Sequence, residues 1–120
     1  MTSHASLEVT QPGNLGSLEW KAIDPTVHKV KVRFASVNFR NVMRASGRLK
    51  EADTSLGLEF SGVEMSSNRR VFGVAKRSLS THCTPMYSFP IPDDLTDEEA
   101  ATIPIPYLTV YFALFEKARL

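Results

Sequence analysis

Between Val27 and Val37 apolar and basic residues alternate. Val30, Val32 and Phe34 fall on one face of an extended chain, and Lys29, Lys31 and Arg33 on the other. A side-chain period of two marks a strand with one dry and one wet face. It predicts a strand over 27–37 whose basic row is solvated surface. Later segments with strand character are 56–63, 70–75 and, more weakly, 79–89. A short helical turn over 40–45 ahead of Gly47 and a polar loop at 50–54 separate them from the first. Upstream, Leu7-Glu8-Val9 alternates before the turn signal Gln11-Pro12-Gly13-Asn14. Gly57, Gly62 and Gly73 sit inside strand-like runs, where glycine marks a bulge or a close backbone approach. Short strands punctuated by Gly and Pro describe a mainly β fold with short helices, a closed or partly open barrel.

The last third changes character. Pro90-Ile91-Pro92-Asp93-Asp94 reads as an extended linker, and Thr96 stands three residues before Glu99, the spacing of a capping box. Asp97 and Glu98 suit the positive end of a helix dipole, which accounts for these acid pairs without catalysis. Pro104 and Pro106 are expected to stop that helix. A second helix is expected over 107–118, with Leu108, Phe112 and Phe115 on one face and Lys117 and Arg119 near its C-terminal end. A helix this apolar needs a surface to pack on, so a β body followed by two helices at the end of the chain reads as unfinished.

Charge and composition exclude several classes. Lys and Arg number 14 against 13 Asp and Glu, a net charge of +1, which gives no electrostatic case for nucleic acid or an anionic membrane. Hydrophobic residues make up 42% and charged residues 22%, the proportions of a globular chain. No apolar run approaches the roughly 18 residues of a spanning helix, and Met1–Ser6 lacks the blocks of a secretory signal. One cysteine, Cys83, cannot form an internal disulfide. A cytoplasmic protein is the plain reading. His82 and Cys83 are neighbours whose side chains point apart on an extended backbone, which argues against a nucleophilic pair. His4 and His28 lie on polar stretches and read as surface residues.

Four blocks, in order, resemble the medium-chain dehydrogenase/reductase superfamily. They are Ser36-Val37-Asn38-Phe39-Arg40-Asn41 with Gly47, Gly57-Leu58-Glu59-Phe60-Ser61-Gly62, Arg70-Val71-Phe72-Gly73-Val74, and Ile91 to Ala101 continuing through Pro104 to Tyr107, Thr109 and Tyr111. Within it, Leu7-Glu8-Val9, Ser17-Leu18-Glu19-Trp20 and Asn38 to Met43 look most like the enoyl reductase region of animal-type fatty acid synthase and related reducing polyketide synthases. The family pattern has Asp where Asn41 stands. The resemblance implies a GroES-like, partly open β barrel over 1–106 and, over 107–120, the start of a bridging helix to a Rossmann domain missing from this chain. No G-x-G-x-x-G loop occurs in the sequence to hold a dinucleotide.

The resemblance further implies a parent that reduces trans-2-enoyl thioesters on an acyl-carrier protein with NADPH, as a homodimer, with the isolated chain inactive. Its pocket residues would be Asn38, Phe39, Arg40, Asn41, Tyr107 and Thr109, with no proton donor among them. The residues alone leave each role open. Asn38 caps a turn or meets a ligand, and Phe39 is core or pocket wall. Arg40 meets a phosphate or pairs with Glu59, which reads as structural. Tyr107 and Thr109 pack and cap, or touch the cofactor. Zinc-using relatives place ligands where Asn38 and Leu58 stand, and neither side chain binds zinc well, so a metal-free enzyme is expected. Two rivals share these motifs: a quinone or aldehyde reductase of the same superfamily, and a non-catalytic GroES-like binding domain.

Overall fold

A computed structural model describes residues 4–120. The strands are β1 (Ala5–Val9), β2 (Leu18–Ala22), β3 (Val30–Phe34), β4 (Glu59–Glu64), β5 (Arg70–Val74), β6 (His82–Cys83) and β7 (Tyr87–Pro90). The α-helices are α1 (Phe39–Ala45), α2 (Asp97–Ala100) and α3 (Pro104–Tyr111). β1 and β2 form an antiparallel pair, and the other strands form an antiparallel sheet in the order β6-β3-β4-β5-β7. Bridges at Ser6–Ser80 and Glu8–Ser55, with the Leu7 N–H donating to the Leu79 carbonyl at 2.8 Å, join the two sheets. The two end strands β6 and β7 are not paired with one another. The result is the mainly β, partly open GroES-like arrangement expected from the sequence.

The core is small and lies on one face of the large sheet, where Phe60, Val30, Val71, Ala75 and Cys83 are buried together with Val32 against them. Gly62 permits this packing, because a Cβ there would stand 2.2 Å from the Lys31 carbonyl oxygen of the neighbouring strand. β3, at Val30–Phe34, is shorter than the alternation over 27–37 predicts. Residues 25–27 form a 3-10 turn instead, N-capped by Asp24 and started by Pro25. The pairing of β3 with β4 shifts register between Val32 and Phe34, and Phe34 is exposed rather than part of the dry face. The basic row also departs from plain solvated surface. Lys29 and Lys31 are exposed, but Arg33 reaches Asp97 at 2.9 Å.

Asp97 is more than a favourable charge at a helix start. It is buried and accepts from both Arg33 and Arg70 at 2.9 Å, while its own carbonyl accepts from the Ser61 hydroxyl at 2.6 Å. Burial alone would push its carboxyl up, but the two guanidinium partners outweigh that and hold it below the usual 3.8. α2 is thereby fastened to β3, β4 and β5, and the Thr96–Glu99 capping box is present as the spacing predicts. Pro104 and Pro106 do not stop a helix. They open α3, in the first turn, where a missing N–H leaves no intrahelical bond unmade. The helical path then continues as a π-helix over Phe112–Lys117, which alters the spacing assumed for Leu108, Phe112 and Phe115. All three are exposed, with Lys117 placed over the Phe112 ring at 5.1 Å.

His4 is not a free surface residue. It is half-buried, with its ring edge-on to the buried His82 at 4.9 Å. Burial holds the His82 imidazole below its usual 6.5, with smaller contributions from His4, His28 and Lys31. Cys83 is fully buried and its thiol is pushed up to about 12, so it is inert as a nucleophile.

Candidate functional site

A cavity of about 740 Å³ opens where α1, the turn before β4, the end of β5 and α3 meet. α1 contributes Asn38, Phe39, Arg40 and Arg44, and the following loop contributes Glu51 and Asp53. Gly57, Leu58, Val74, Lys76 and Met86 line the sheet side, and Ile105 and Thr109 close it from α3.

The local sequence builds this site directly. Asn38, in extended conformation, caps α1 through its Oδ1, which accepts the Asn41 N–H at 3.3 Å. Its Nδ2 is shut from solvent and has no acceptor among the described residues. Phe39 is 72% exposed and walls the cavity mouth. Asn41 turns inward instead, buried, and its Oδ1 accepts the Gly57 N–H at 2.9 Å. That bond fixes α1 to the turn before β4. The turn needs glycine, since Gly57 has φ +107° and a Cβ would meet the Leu79 nitrogen at 2.3 Å. A carboxylate oxygen at position 41 would accept the same bond, so the Asn in place of Asp keeps this contact.

Arg40 does not pair with Glu59. It binds Glu51, as does Arg44, which sits 3.0 Å from the same carboxylate and also donates to the Asp53 carbonyl. Arg40 and Arg44 stand four apart, so both side chains reach one partner across a helical turn. Glu59 is buried and accepts the Ser36 hydroxyl and, at 2.8 Å, the Ile105 N–H in the first turn of α3. Through that bond it holds α3 against the sheet. Burial raises the Asp53 carboxyl, but the Ser55 N–H and hydroxyl, with Arg77 and Arg44, more than offset this and keep it below the usual range.

Of the six residues singled out in the sequence, Asn38, Phe39, Arg40 and Thr109 meet at this cavity. Asn41 supports it from beneath. Tyr107 lies instead on a second groove of about 640 Å³, between α3 and the β5–β7 edge, lined by Phe72, Tyr87, Phe89, Leu108, Tyr111 and Phe115 among others. Both Tyr107 and Thr109 lie inside α3, which begins earlier, at Pro104. Sequence reasoning missed Arg44, Glu51, Asp53 and Lys76. The four-residue spacing of Arg40 and Arg44 was a readable signal for the shared carboxylate, whereas nothing local marks Lys76. Chemically the cavity offers a neutral amide, an aromatic wall and cations. Its two carboxylates are engaged in ion pairs.

The partly open β arrangement is the GroES-like fold found in medium-chain reductases. No protein-family profile matches the chain. A highly reducing polyketide synthase of Cordyceps militaris is 32% identical over 131 residues, covering 94% of this chain and 5% of the synthase. The crystal structure of JamJ enoyl reductase superposes with a TM-score of 0.84 at 26% identity, covering 99% of this chain and 44% of that one. A mycobacterial protein solved in complex with NADPH shares the fold, with a TM-score of 0.82 at 24% identity over 98% of this chain and 42% of its own. Over nearly its whole length the chain is therefore similar to the N-terminal, GroES-like part of enoyl reductases of the medium-chain reductase superfamily. It spans about 5–6% of the synthases it matches and under half of the enoyl reductases.

Proposed function

We infer that this chain is the substrate-binding half of an NADPH-dependent enoyl-thioester reductase of polyketide or fatty acid synthesis, acting on trans-2-enoyl chains carried by an acyl-carrier protein. Residues 1–106 form the substrate-side domain, and 107–120 begin the bridge to a nucleotide-binding domain. The observation that carries this reading is the cavity beside Asn38. It joins a neutral hydrogen-bonding amide to an aromatic wall and has no unpaired carboxylate among its described residues. A hydride-transfer cleft needs such a lining, because it must seat a nicotinamide and an apolar acyl group while keeping water and stray protons away. NADPH would supply the hydride. Asn38, Phe39, Arg40 and Thr109 would orient the two reactants, Asn41 would hold α1 in place, and Tyr107 would pack against the adjoining domain. Neither Asn38 nor Leu58 suits a zinc ion, and the chemistry proposed requires none.

Fusing the chain to the nucleotide-binding domain of an enoyl reductase and following NADPH oxidation with a crotonyl thioester tests this. Turnover is expected for the fusion and none for the chain alone, which also binds no NADPH at micromolar concentration. Saturable micromolar NADPH binding by the chain alone, measured by calorimetry, would overturn the division of labour proposed.

A further inference from the structure

One buried acid beside the cavity has no part in the chemistry described so far. Glu59 is 2% exposed and forms no ion pair among the described residues. Burying a carboxyl group with no cation beside it is costly unless hydrogen bonds satisfy it, so the bonds it makes point to its purpose. Its Oε1 accepts the Ser36 hydroxyl, and its Oε2 accepts the Ile105 N–H at 2.8 Å.

The two donors serve different walls of the cavity. Ser36 lies just ahead of Asn38, the N-cap of α1, and Ile105 lines the cavity from the first turn of α3. α3 has no side-chain cap of its own at Ile103, and Pro104 is its only buried residue. Glu59, 46 residues away, takes a first-turn N–H of the kind that a local cap would take. Ile105 and Thr109 stand one helical turn apart and both line the cavity, so whatever fixes the first also places the second. On the other side, Asn41 ties α1 to the same stretch of chain through the Gly57 N–H.

We propose that Glu59 is a positioning residue, a brace between the α1 and α3 walls whose length sets how far Asn38 and Phe39 stand from Ile105 and Thr109. This rests on the cavity being the hydride-transfer cleft and adds what holds its two walls in register. The side chain touches neither reactant. Glutamine can serve in its place, because its Oε1 accepts the Ile105 N–H while its Nε2 donates to the Ser36 Oγ. Aspartate keeps the carboxyl group but is one methylene shorter, so it cannot hold both donors with the walls at their present separation.

The test sets Glu59→Gln against Glu59→Asp, in the chain alone and in the fusion described above. In the 15N-labelled chain the Ile105 amide should exchange with solvent at least about tenfold faster in Glu59→Asp, whose N–H loses its acceptor, and near the unaltered rate in Glu59→Gln. In the fusion Glu59→Asp should lower kcat at least about tenfold with the KM for NADPH unchanged, as misplaced walls require, and Glu59→Gln should stay within about threefold. Ser36→Ala removes one arm of the brace only and should fall between the two, which keeps the test decisive if Glu59→Asp does not fold. Activity lost in Glu59→Gln but kept in Glu59→Asp would show that charge and not length matters, and overturns the brace. An unchanged kcat in all three variants overturns it as well. If the unaltered fusion is inactive, the reductase reading falls, and the Ile105 exchange rates by themselves uphold or reject the brace.

Discussion

Phe60 and Phe115 carry the same side chain and meet opposite surroundings. Phe60 is fully buried among Val30, Val71, Ala75 and Cys83, inside a sheet whose glycines let the strands close on it. Phe115 is 54% exposed, and so are most of its neighbours: between Pro104 and Lys117 only Pro104 is buried. Around Phe60 apolar surface is consumed by the chain itself, although Trp20, Phe34, Tyr87 and Phe89 elsewhere in the β body stay exposed, and polar links such as Asp97 with its two arginines fasten the elements together. In the C-terminal helices it is displayed. Tyr111 and Phe115 lie against each other at 5.0 Å and Lys117 covers Phe112, which pairs the rings locally without burying them. The body thus has its stability within these residues. The helical tail offers a contiguous apolar face of the kind that marks an interaction surface.

The largest test of this contrast is Phe60→Ala. Emptying the centre of a small core should cost about 4 kcal/mol, read as a drop in the denaturant midpoint. A loss below about 1 kcal/mol would mean that the body is far less closely packed than described.

Asp97→Asn comes next. Removing the charge weakens two charge-assisted hydrogen bonds, and because both arginines are partly exposed the expected cost is about 2 kcal/mol. The sign of its pH dependence follows from a folded-state carboxyl held below 3.8. The contribution is complete above 3.8 and is lost as pH falls below it toward the depressed folded value. Acid titration of stability should therefore be flatter in Asp97→Asn than in the parent below that point.

Thr96→Ala removes one side of the capping box of α2 and should cost about 1 kcal/mol, measured by thermal unfolding. No change at all would show that Asp97, and not the cap, holds this helix.

The smallest effect is expected at the tail. Phe115→Ala should alter the stability of the isolated chain by less than about 0.5 kcal/mol, although the same substitution at Phe60 is severe. Hydrogen exchange sharpens the point. Amides of 107–120 should exchange fast, or the chain should self-associate through them, and a matching nucleotide-binding domain should slow them. Strong protection of these amides in a verified monomer would erase the difference between the two regions.

Several elements were legible in advance because their signals are local. Asn38 before Phe39–Ala45 and Thr96 before Asp97–Ala100 are side chains that satisfy backbone N–H groups two or three residues away, so sequence spacing is the geometry. The same holds for the alternation of Val30 and Lys31. Misreadings arose where a local rule has two outcomes. A proline forbids a helix interior but favours a first turn, and the pair Pro104 and Pro106 took the second course once Glu59 accepted the Ile105 N–H. That contact spans 46 residues, and no window around the prolines contains it.

The order of short strands, the capped helices and the absence of a dinucleotide loop follow from the sequence by itself, since each depends on residues near one another or on residue type alone. The tertiary structure decided the partners: Glu51 rather than Glu59 for Arg40, Asp97 for Arg33, and the Gly57 amide for Asn41. Charges and amides choose among many chemically equal partners by distance, and distance between remote segments is set only when the sheet has closed.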